Sequence, residues 1–435
     1  MRNVPQVLAR QVQGRSTGVR WTSCLLGVVV ATVVWPMTIQ SQEIRGQEIR
    51  GQEIQGQERV IHTNPLNRTP EVRAAYERFY TLDYDGALNR FQKVERAHPD
   101  DPMAADYVLE TVLFHELYNL DLLDTTLYAH DGFLSGKHQV AENKAFSAHI
   151  EDLSSASIQL AEKRLRQNPK DVDALYARGW SKSLRATYMG LVQRSFISAL
   201  RLALQARQDN DQVLKIDPDY VDAELVVGIH QYVVGSLPVT IKVLAGLAGI
   251  HGNKEKGLAM LRDDSKHGVT TSVEARTALA LFLRREAQYG EAAEWNDSLK
   301  RQYPHNFLFW LEAANLQKDA GHAQEAITLY RALLDQSRHA GYFTNPHLEL
   351  AWYGLADTLR GQRDAAAACE AFEQVSAQPT VSPDLKRRAQ LAAGMEYDML
   401  GKRTQAEAAY RDVLALGDSE QASDARRYLK VPYKG

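Results

Sequence analysis

The sequence predicts an all-α fold in which helix-turn-helix units stack into a right-handed α-solenoid. First, a pattern of glycine, alanine and aromatic positions recurs at roughly 34 to 42 residues towards the carboxyl end. Second, the helix formers Ala, Leu, Glu, Arg and Gln dominate the chain of 435 residues, whereas the alternating Val, Ile and Thr runs typical of strands are scarce outside residues 28–39.

The recurring pattern has the composition that two packed helices need. Its clearest copy consists of Gly394, Tyr397, Gly401, Ala406 and Tyr410. An upstream copy consists of Trp310, Ala313, Ala314, Gly321, Ala326 and Tyr330. Small residues let the helices approach, an aromatic ring fills the space between them, and glycine permits the turn. Because one such unit cannot bury its own apolar face, the copies must stack.

These units resemble tetratricopeptide repeats. Partial copies comprise Tyr84, Ala87, Phe91 and Pro99, then Leu279, Ala280, Leu283, Ala292 and Pro304, and then Trp352, Leu355, Ala356, Ala368 and Phe372. In the last of these units, Gly361 lies two residues early for the standard turn. The resemblance implies an α-solenoid that binds a peptide partner in the concave groove lined by the first helix of each unit.

The repeat register predicts which residues line that groove. They are Asn315, Lys318, Asp357, Arg360, Met395 and Asp398. Such a lining carries charges of both signs. An ordinary solvated helix face is the alternative interpretation for each single residue.

Two apolar stretches exceed the length of whole repeats and predict helical insertions. They span residues 185–207 and 235–252. Met189, Val192, Phe196, Leu200 and Leu204 fall at helical spacing in the first stretch, and Val243, Leu247 and Ile250 do so in the second. Such stripes predict core packing. The alternative is a lined cavity for an apolar ligand or a partner helix.

The second stretch is also similar to a segment of the eukaryotic inclusion-body-clearance family of tetratricopeptide proteins. The matching residues, within 237–263, are Leu237, Pro238, Leu244, Gly249, Gly252, Gly257, Leu258 and Leu261. Proline suits a first helical position, so we expect Pro238 to begin an extra helix that ends at Gly252. We expect Val243, Leu244, Leu247 and Ile250 to face inward, Gly246 and Gly249 to admit a neighbouring helix, and residues 255–262 to form the next helix.

The amino-terminal segment has a different composition from the rest. Residues 1–41 contain four arginines, no acidic residue and an apolar run of about a dozen residues, which predicts a secretory signal and export, most simply to a periplasm. An uncleaved anchor formed by residues 24–39 is the alternative. Residues 42–68 contain tandem QEIRG repeats and predict a disordered tether. The solenoid is then predicted to span residues 69–435, beginning at the Thr69-Pro70 helix-start signal.

Charge and motifs exclude several function classes. Without residues 1–41, 47 of the 51 basic side chains remain against 54 acidic ones, a net charge of −7 that argues against a nucleic-acid partner. His115 and Glu116 begin a zinc-protease motif, but Asn119 replaces its second histidine. Several potential metal ligands are clustered in the sequence, namely His115, His130, Asp131, His138 and His149. Polar residues at helix ends and in loops explain this cluster as well as a metal site does. The sequence therefore predicts no catalytic residue, metal or cofactor.

These observations together predict a non-enzymatic scaffold or adaptor. We expect it to be exported or membrane-tethered and to bind a protein partner in its concave groove. The alternative is a carrier of a small apolar ligand, with residues 185–207 and 235–252 forming the binding surface. Only the amino-terminal segment is expected to contact a membrane.

Overall fold

The structure of the protein is a computed structural model that describes residues 60–129, 142–239, 242, 243, 246 and 249–435. These residues form 17 α-helices, three short 3-10 helices and no strand. The helices are α1 Pro70–Phe79, α2 Tyr84–Ala97, α3 Pro102–Asn119, α4 Lys144–Gln167, α5 Val172–Leu191, α6 Phe196–Ile216, α7 Glu224–Gly235, α8 Lys254–His267, α9 Ser272–Arg285, α10 Tyr289–Gln302, α11 Phe307–Asp319, α12 Ala323–Gln336, α13 Leu348–Gly361, α14 Ala365–Ala377, α15 Pro383–Met399, α16 Arg403–Ala415 and α17 Glu420–Lys430. The 3-10 helices are Pro65–Arg68, Thr125–Leu127 and Val221–Ala223.

Successive helices pack as pairs, α1 with α2 through α15 with α16, and α17 covers the last pair. Each pair also packs against the next, which is the predicted all-α stack of tetratricopeptide-like units. One continuous apolar core runs through the stack. None of the helices in the described part combines the length and apolarity that a membrane span requires.

The turn inside a pair has a recurring backbone conformation. At five turns a residue with positive φ precedes a fully buried alanine by five positions. The turn residues are Leu82, Ala287, Gly321, Arg363 and Gly401, and the alanines are Ala87, Ala292, Ala326, Ala368 and Ala406. In the unit where glycine seemed two residues early, Gly361 ends α13 and Arg363 takes the left-handed conformation. The units thus share a left-handed backbone conformation at the turn, and only some of them have glycine at that position.

The first apolar stretch, residues 185–207, lengthens an existing pair. It spans the end of α5 and the beginning of α6, which have 20 and 21 residues, whereas the helices from α9 to α14 have 13 or 14. The apolar residues predicted at helical spacing in this stretch are not all buried in the core. Val192 is buried, but Leu200 is 40% exposed. α6 has 21 residues and the neighbouring α7 has only 12, so the first turns of α6 extend past the end of α7.

In the second stretch, a helical turn begins at Pro238, whose carbonyl accepts the N–H of Lys242 at 2.9 Å. Val243 is 59% exposed, so the prediction that it faces inward is wrong. Leu244 and Leu247 lie outside the described residues. Gly249 has φ +73° with no atom near its missing side chain, so it forms a turn and does not admit a neighbouring helix.

Close helix packing occurs instead at glycines that flank this stretch. A Cβ at Gly257 would lie 2.5 Å from the backbone nitrogen of Tyr232, and one at Gly228 would lie 3.2 Å from the carbonyl of Gly257. These glycines bring α7 and α8 together. The helix predicted over residues 255–262 is present within α8.

Folded contacts begin upstream of the predicted start at Thr69. The N–H of His62 donates to the carbonyl of Asp219 at 2.9 Å, and the hydroxyl of Thr63 donates to Asp222 at 2.7 Å. Asn64 is buried and its N–H donates to the Tyr220 hydroxyl at 3.0 Å. Residues 62–68 therefore belong to the packed structure, because their polar groups find partners there. The predicted signal and the QEIRG repeats lie outside the described residues.

The end of α3 and the segment that follows it contact residues far along the chain. Tyr118 donates its hydroxyl to the carbonyl of Asn345 at 2.9 Å, and the carbonyl of Tyr128 accepts from Arg285 at 2.6 Å. Near the first pair, the hydroxyl oxygen of Tyr80 lies 3.1 Å from the carbonyl oxygen of Thr270. The stack is consequently cross-linked between its early pairs and the pairs that begin with α9, α11 and α13. This closure bounds the cavity described next.

Candidate functional site

The stack encloses a cavity of about 670 Å³ between the first helices of successive pairs. Its walls come mainly from α1, α5, α6, α7, α9 and α11 and from the segment after α3, with smaller contributions from α2, α3 and α10. Aliphatic side chains dominate these walls and include Leu184, Leu191, Ala203, Val226, Ile229, Leu281 and Leu308. The first apolar stretch contributes to the walls, but Leu200 is the one member of its five-residue stripe that lies in the lining.

The mouth of the cavity exposes large apolar side chains to water. Leu200 and Val233 both belong to the lining and are 40% and 48% exposed. Exposed Ile197, Val239 and Val243 lie in the same stretch of chain. Five of the nine exposed large hydrophobic residues in the described part thus fall within residues 197–243. Exposed apolar side chains beside an apolar cavity, as Leu200 and Val233 are, are typical of a binding surface.

Two titratable side chains in the lining carry less charge than usual near neutral pH. Burial, together with the adjacent Arg207, lowers the pKa of His230 to about 4, so this imidazole is neutral. Burial raises the pKa of Glu274 to about 7, although its carboxylate accepts a hydrogen bond from Tyr80 at 2.8 Å. Both shifts favour the uncharged form and suit an apolar occupant.

One edge of the cavity is polar, and its charged side chains pair with one another. Arg284, whose side chain is 1% exposed, donates to Glu312 at 3.0 Å and to Asp319 at 2.8 Å. Burial raises the pKa of Glu312, against the opposing effect of this guanidinium. Thr125 donates its hydroxyl to the same carboxylate. The network fixes this edge and pairs the buried guanidinium with two carboxylates.

Of the six residues predicted to line the groove, only Asn315 lies in the cavity wall. Its amide donates to the Thr126 hydroxyl at 2.9 Å and accepts from the Tyr330 hydroxyl at 2.5 Å. Both hydrogen-bonding groups of the amide therefore have partners within the chain. The described structure uses Asn315 to hold the segment after α3 in place.

The other five predicted residues form two separate groups. Asp357 lies 3.7 Å from Lys318 and 2.6 Å from Arg360, so the structure brings these three together across α11 and α13. Met395 and Asp398 lie on α15. Asp398 accepts from Arg403 at 2.9 Å, from the Tyr410 hydroxyl at 2.9 Å and from the N–H of Tyr433 at 2.9 Å. A role for these five residues in partner binding stays a prediction.

The sequence reasoning missed the wall that α7 provides. Val226, Ile229 and Val233 all line the cavity and recur at helical spacing. That spacing was a usable signal, but it predicts core burial as readily as a cavity wall. Of the histidine cluster, the described members pack on aromatic rings, His115 on Tyr84 and His149 on Phe146. His130, Asp131 and His138 lie outside the described residues.

No family model and no curated protein matches this chain. Similar solved structures include the APC/C hetero-tetramer Cut9-Hcn1, with 13% identity, a TM-score of 0.45 and coverage of 85% of this chain and 56% of that one. A tetratricopeptide repeat protein from Parabacteroides merdae has 14% identity, a TM-score of 0.32 and coverage of 74% and 97%. The human IFIT1 dimer with m7Gppp-AAAA has 12% identity, a TM-score of 0.41 and coverage of 83% and 80%. The chain spans about half the length of the first of these.

Proposed function

We propose that this protein is a non-enzymatic scaffold that binds an apolar segment of a protein partner in the cavity between its first helices. The observation that carries the proposal is the exposure of Leu200 and Val233 at the mouth of an apolar cavity. Water solvates such side chains poorly, so covering them with an apolar partner is favourable.

A protein segment fits the surface because the apolar area continues beyond the cavity. Ile197 and Leu200 lie three residues apart on α6, so both face the same side of that helix. An amphipathic partner helix offers anchors at the same spacing, with some side chains entering the cavity and others covering the rim. An occupant confined to the cavity would leave Ile197 in water.

A carrier of a small apolar ligand is the second candidate. The volume of about 670 Å³ lies within the range typical of ligand-binding sites, and the uncharged His230 suits an apolar molecule. The two candidates differ in what fills the cavity and in whether the rim takes part. Changes at Ile197 should weaken binding of a protein segment and leave a small ligand unaffected.

The test uses a photoreactive residue at position 203, in the cavity wall, with cross-linked material analysed by mass spectrometry. A cross-linked partner peptide supports the scaffold, and a small-molecule adduct supports the carrier. Leu200→Asp and Val233→Asp should abolish the cross-link without lowering the melting temperature, because both side chains are already exposed. The matched control is Val431→Asp, an exposed residue distant from the cavity lining, which should leave the cross-link intact. Unchanged cross-linking in both cavity variants would contradict both candidates.

We further propose that the protein acts after export, or while anchored by residues 24–39. The arginine-rich segment followed by an apolar run supports this location. Mass spectrometry of the mature protein distinguishes the two forms. An amino terminus near Gln42 indicates cleavage, and an intact terminus in the membrane fraction indicates an anchor. Full-length protein in the soluble cytoplasm would exclude both.

A further inference from the structure

A second cluster of chemically capable side chains lies apart from the cavity, where the early and late pairs meet. It consists of Asp121, which follows α3, and His347 and Glu349 at the beginning of α13. None of the three lines the cavity. We propose that these three side chains bind a divalent transition-metal ion, which fastens the end of α3 to α13.

The ligand atoms have the spacing that a shared ion requires. Nδ1 of His347 lies 2.5 Å from Oδ1 of Asp121 and 3.6 Å from Oε1 of Glu349. All three candidate ligand atoms lie within 4.8 Å of one another. Ligands at about 2.0–2.2 Å from a zinc ion are separated by roughly 3–3.5 Å, so side-chain adjustments of about 1 Å suffice.

An independent observation indicates a missing cationic partner. Glu349 is fully buried, yet its Oε1 atom forms no hydrogen bond, whereas Oε2 accepts from the Thr380 hydroxyl at 2.6 Å. A buried carboxylate oxygen without a donor is costly. Oε1 is the atom that faces His347, so an ion bound there satisfies it. The location of Glu349 in the first turn of α13 also favours a carboxylate.

Neighbouring groups hold the three side chains in place. The ring of Tyr118 packs on the imidazole of His347 with centroids 4.5 Å apart. Asp121 adopts φ 58°, and its N–H donates to the carbonyl of Tyr118 at 3.0 Å. Thr380 orients the Glu349 carboxylate. Metal sites depend on such supporting contacts, which fix ligand direction before the ion arrives.

The donor set defines the class of ion. One imidazole nitrogen and two carboxylate oxygens suit Zn²⁺, Mn²⁺ or Fe²⁺, and they disfavour the soft ions that require thiolates. Three protein ligands leave a coordination position for water, and the Asp121 side chain, 16% exposed, provides the route to solvent. The proposal does not depend on what occupies the cavity.

The test measures metal binding by the purified full chain after treatment with a chelator. We expect titration with Co²⁺ to give a visible absorption band that saturates at one ion per chain, and Zn²⁺ to displace it. Zn²⁺ should also raise the melting temperature, because it binds the folded state. Glu349→Gln keeps the side-chain size and should weaken Co²⁺ binding at least about ten-fold.

Controls separate a metal site from a buried ion pair. Asp121→Asn serves as a second ligand variant, and far-UV circular dichroism verifies the fold of both. His62→Ala removes a similar histidine–carboxylate contact, in which His62 lies 2.7 Å from Asp217 and is half exposed. Among the described residues this pair has no third ligand, so the variant should leave Co²⁺ binding unchanged. Failure of the wild type to bind Co²⁺ at millimolar concentration would overturn the proposal. Equal binding by the wild type and both folded ligand variants would do so as well.

Discussion

Tyr330 packs against Gly354 so closely that a Cβ atom at position 354 would lie 2.5 Å from Cζ of its ring. The ring belongs to α12 and the glycine to α13, so this contact joins one pair to the next. The Tyr330 hydroxyl donates to Asn315 on α11. Gly394 and Tyr410 make a similarly close contact in the α15–α16 pair. Small-residue and aromatic positions in the sequence pattern thus correspond to physical contacts.

Gly354→Ala should destabilise the protein by about 1–3 kcal/mol, because the methyl group forces the buried Tyr330 ring to move. The measurement is urea unfolding followed by circular dichroism. Gly361→Ala, at the end of the same helix, is the matched control, since a Cβ there meets nothing within 4 Å. The control should be neutral or slightly stabilising. Equal unfolding midpoints for the two variants would refute the packing argument.

Arg363→Gly should stabilise the protein by about 0.5–1 kcal/mol. Arg363 has φ 62°, a conformation that glycine adopts without the cost imposed by a side chain. The same unfolding assay measures the effect. Arg363→Ala is the control, because alanine removes the guanidinium and keeps the backbone cost. A stabilisation of the same size in both variants would show that the charge, and not the backbone, is responsible.

Arg284→Met should cost about 3–5 kcal/mol, because it leaves the buried carboxylate of Glu312 without its cation. Adding Glu312→Gln to this variant should restore part of the loss. Arg426→Met provides the comparison, since Arg426 and Asp418 form an exposed pair whose removal should cost well under about 1 kcal/mol. Calorimetric or denaturant unfolding gives both values. A small effect of Arg284→Met would mean that water reaches this edge of the cavity.

Stability should fall as the pH rises from 6 to 8. The pKa of Glu274 is about 7 in the folded protein, above its ordinary value, so the folded state holds more protons than the unfolded state in this window. Burial likewise raises the pKa of the nearby Glu110 and Asp264 carboxyls, which act in the same direction. His230 affects stability in the opposite direction and in a lower pH range. Its pKa is lowered in the folded state, so below about pH 6.5 the unfolded state binds more protons and stability falls as the pH decreases.

Glu274→Gln checks this assignment, because it removes the titrating group and keeps the hydrogen bond to Tyr80. The variant should lose less stability than the wild type between pH 6 and pH 8 in urea titrations. Glu325→Gln, at an exposed position on α12, is the control and should follow the wild-type dependence. Identical slopes for all three proteins would rule out Glu274 as a source of the pH dependence.

The sequence predicted the helix pairs best where glycine marks the turn. Gly321 and Gly401 identified their units, whereas Leu82, Ala287 and Arg363 adopt the same left-handed conformation without a signal in their side chains. Local composition cannot reveal a turn that tertiary packing imposes on an ordinary residue.

The candidate site was partly predictable. The stripe containing Leu200 indicated either core or cavity, and the choice depended on the length of α7 relative to α6. The contact between Asp121 and His347 joins residues 226 positions apart, a separation that follows from the curvature of the whole stack. A repeat register predicts which face a residue occupies within its own unit. It gives no information about which distant unit that face meets.

The contacts that join the end of α3 and the segment after it to the later pairs alter how this solenoid can unfold. In an open repeat array each unit depends only on its neighbours, so terminal units fray independently. Here Tyr118 and Tyr128 tie the early pairs to the loop before α13 and to α9. Loss of the first pairs removes supports from the middle of the stack, so unfolding spreads inward as one cooperative event. Formation of these long-range contacts also raises the contact order, and folding is slower than the local helical repeats would imply.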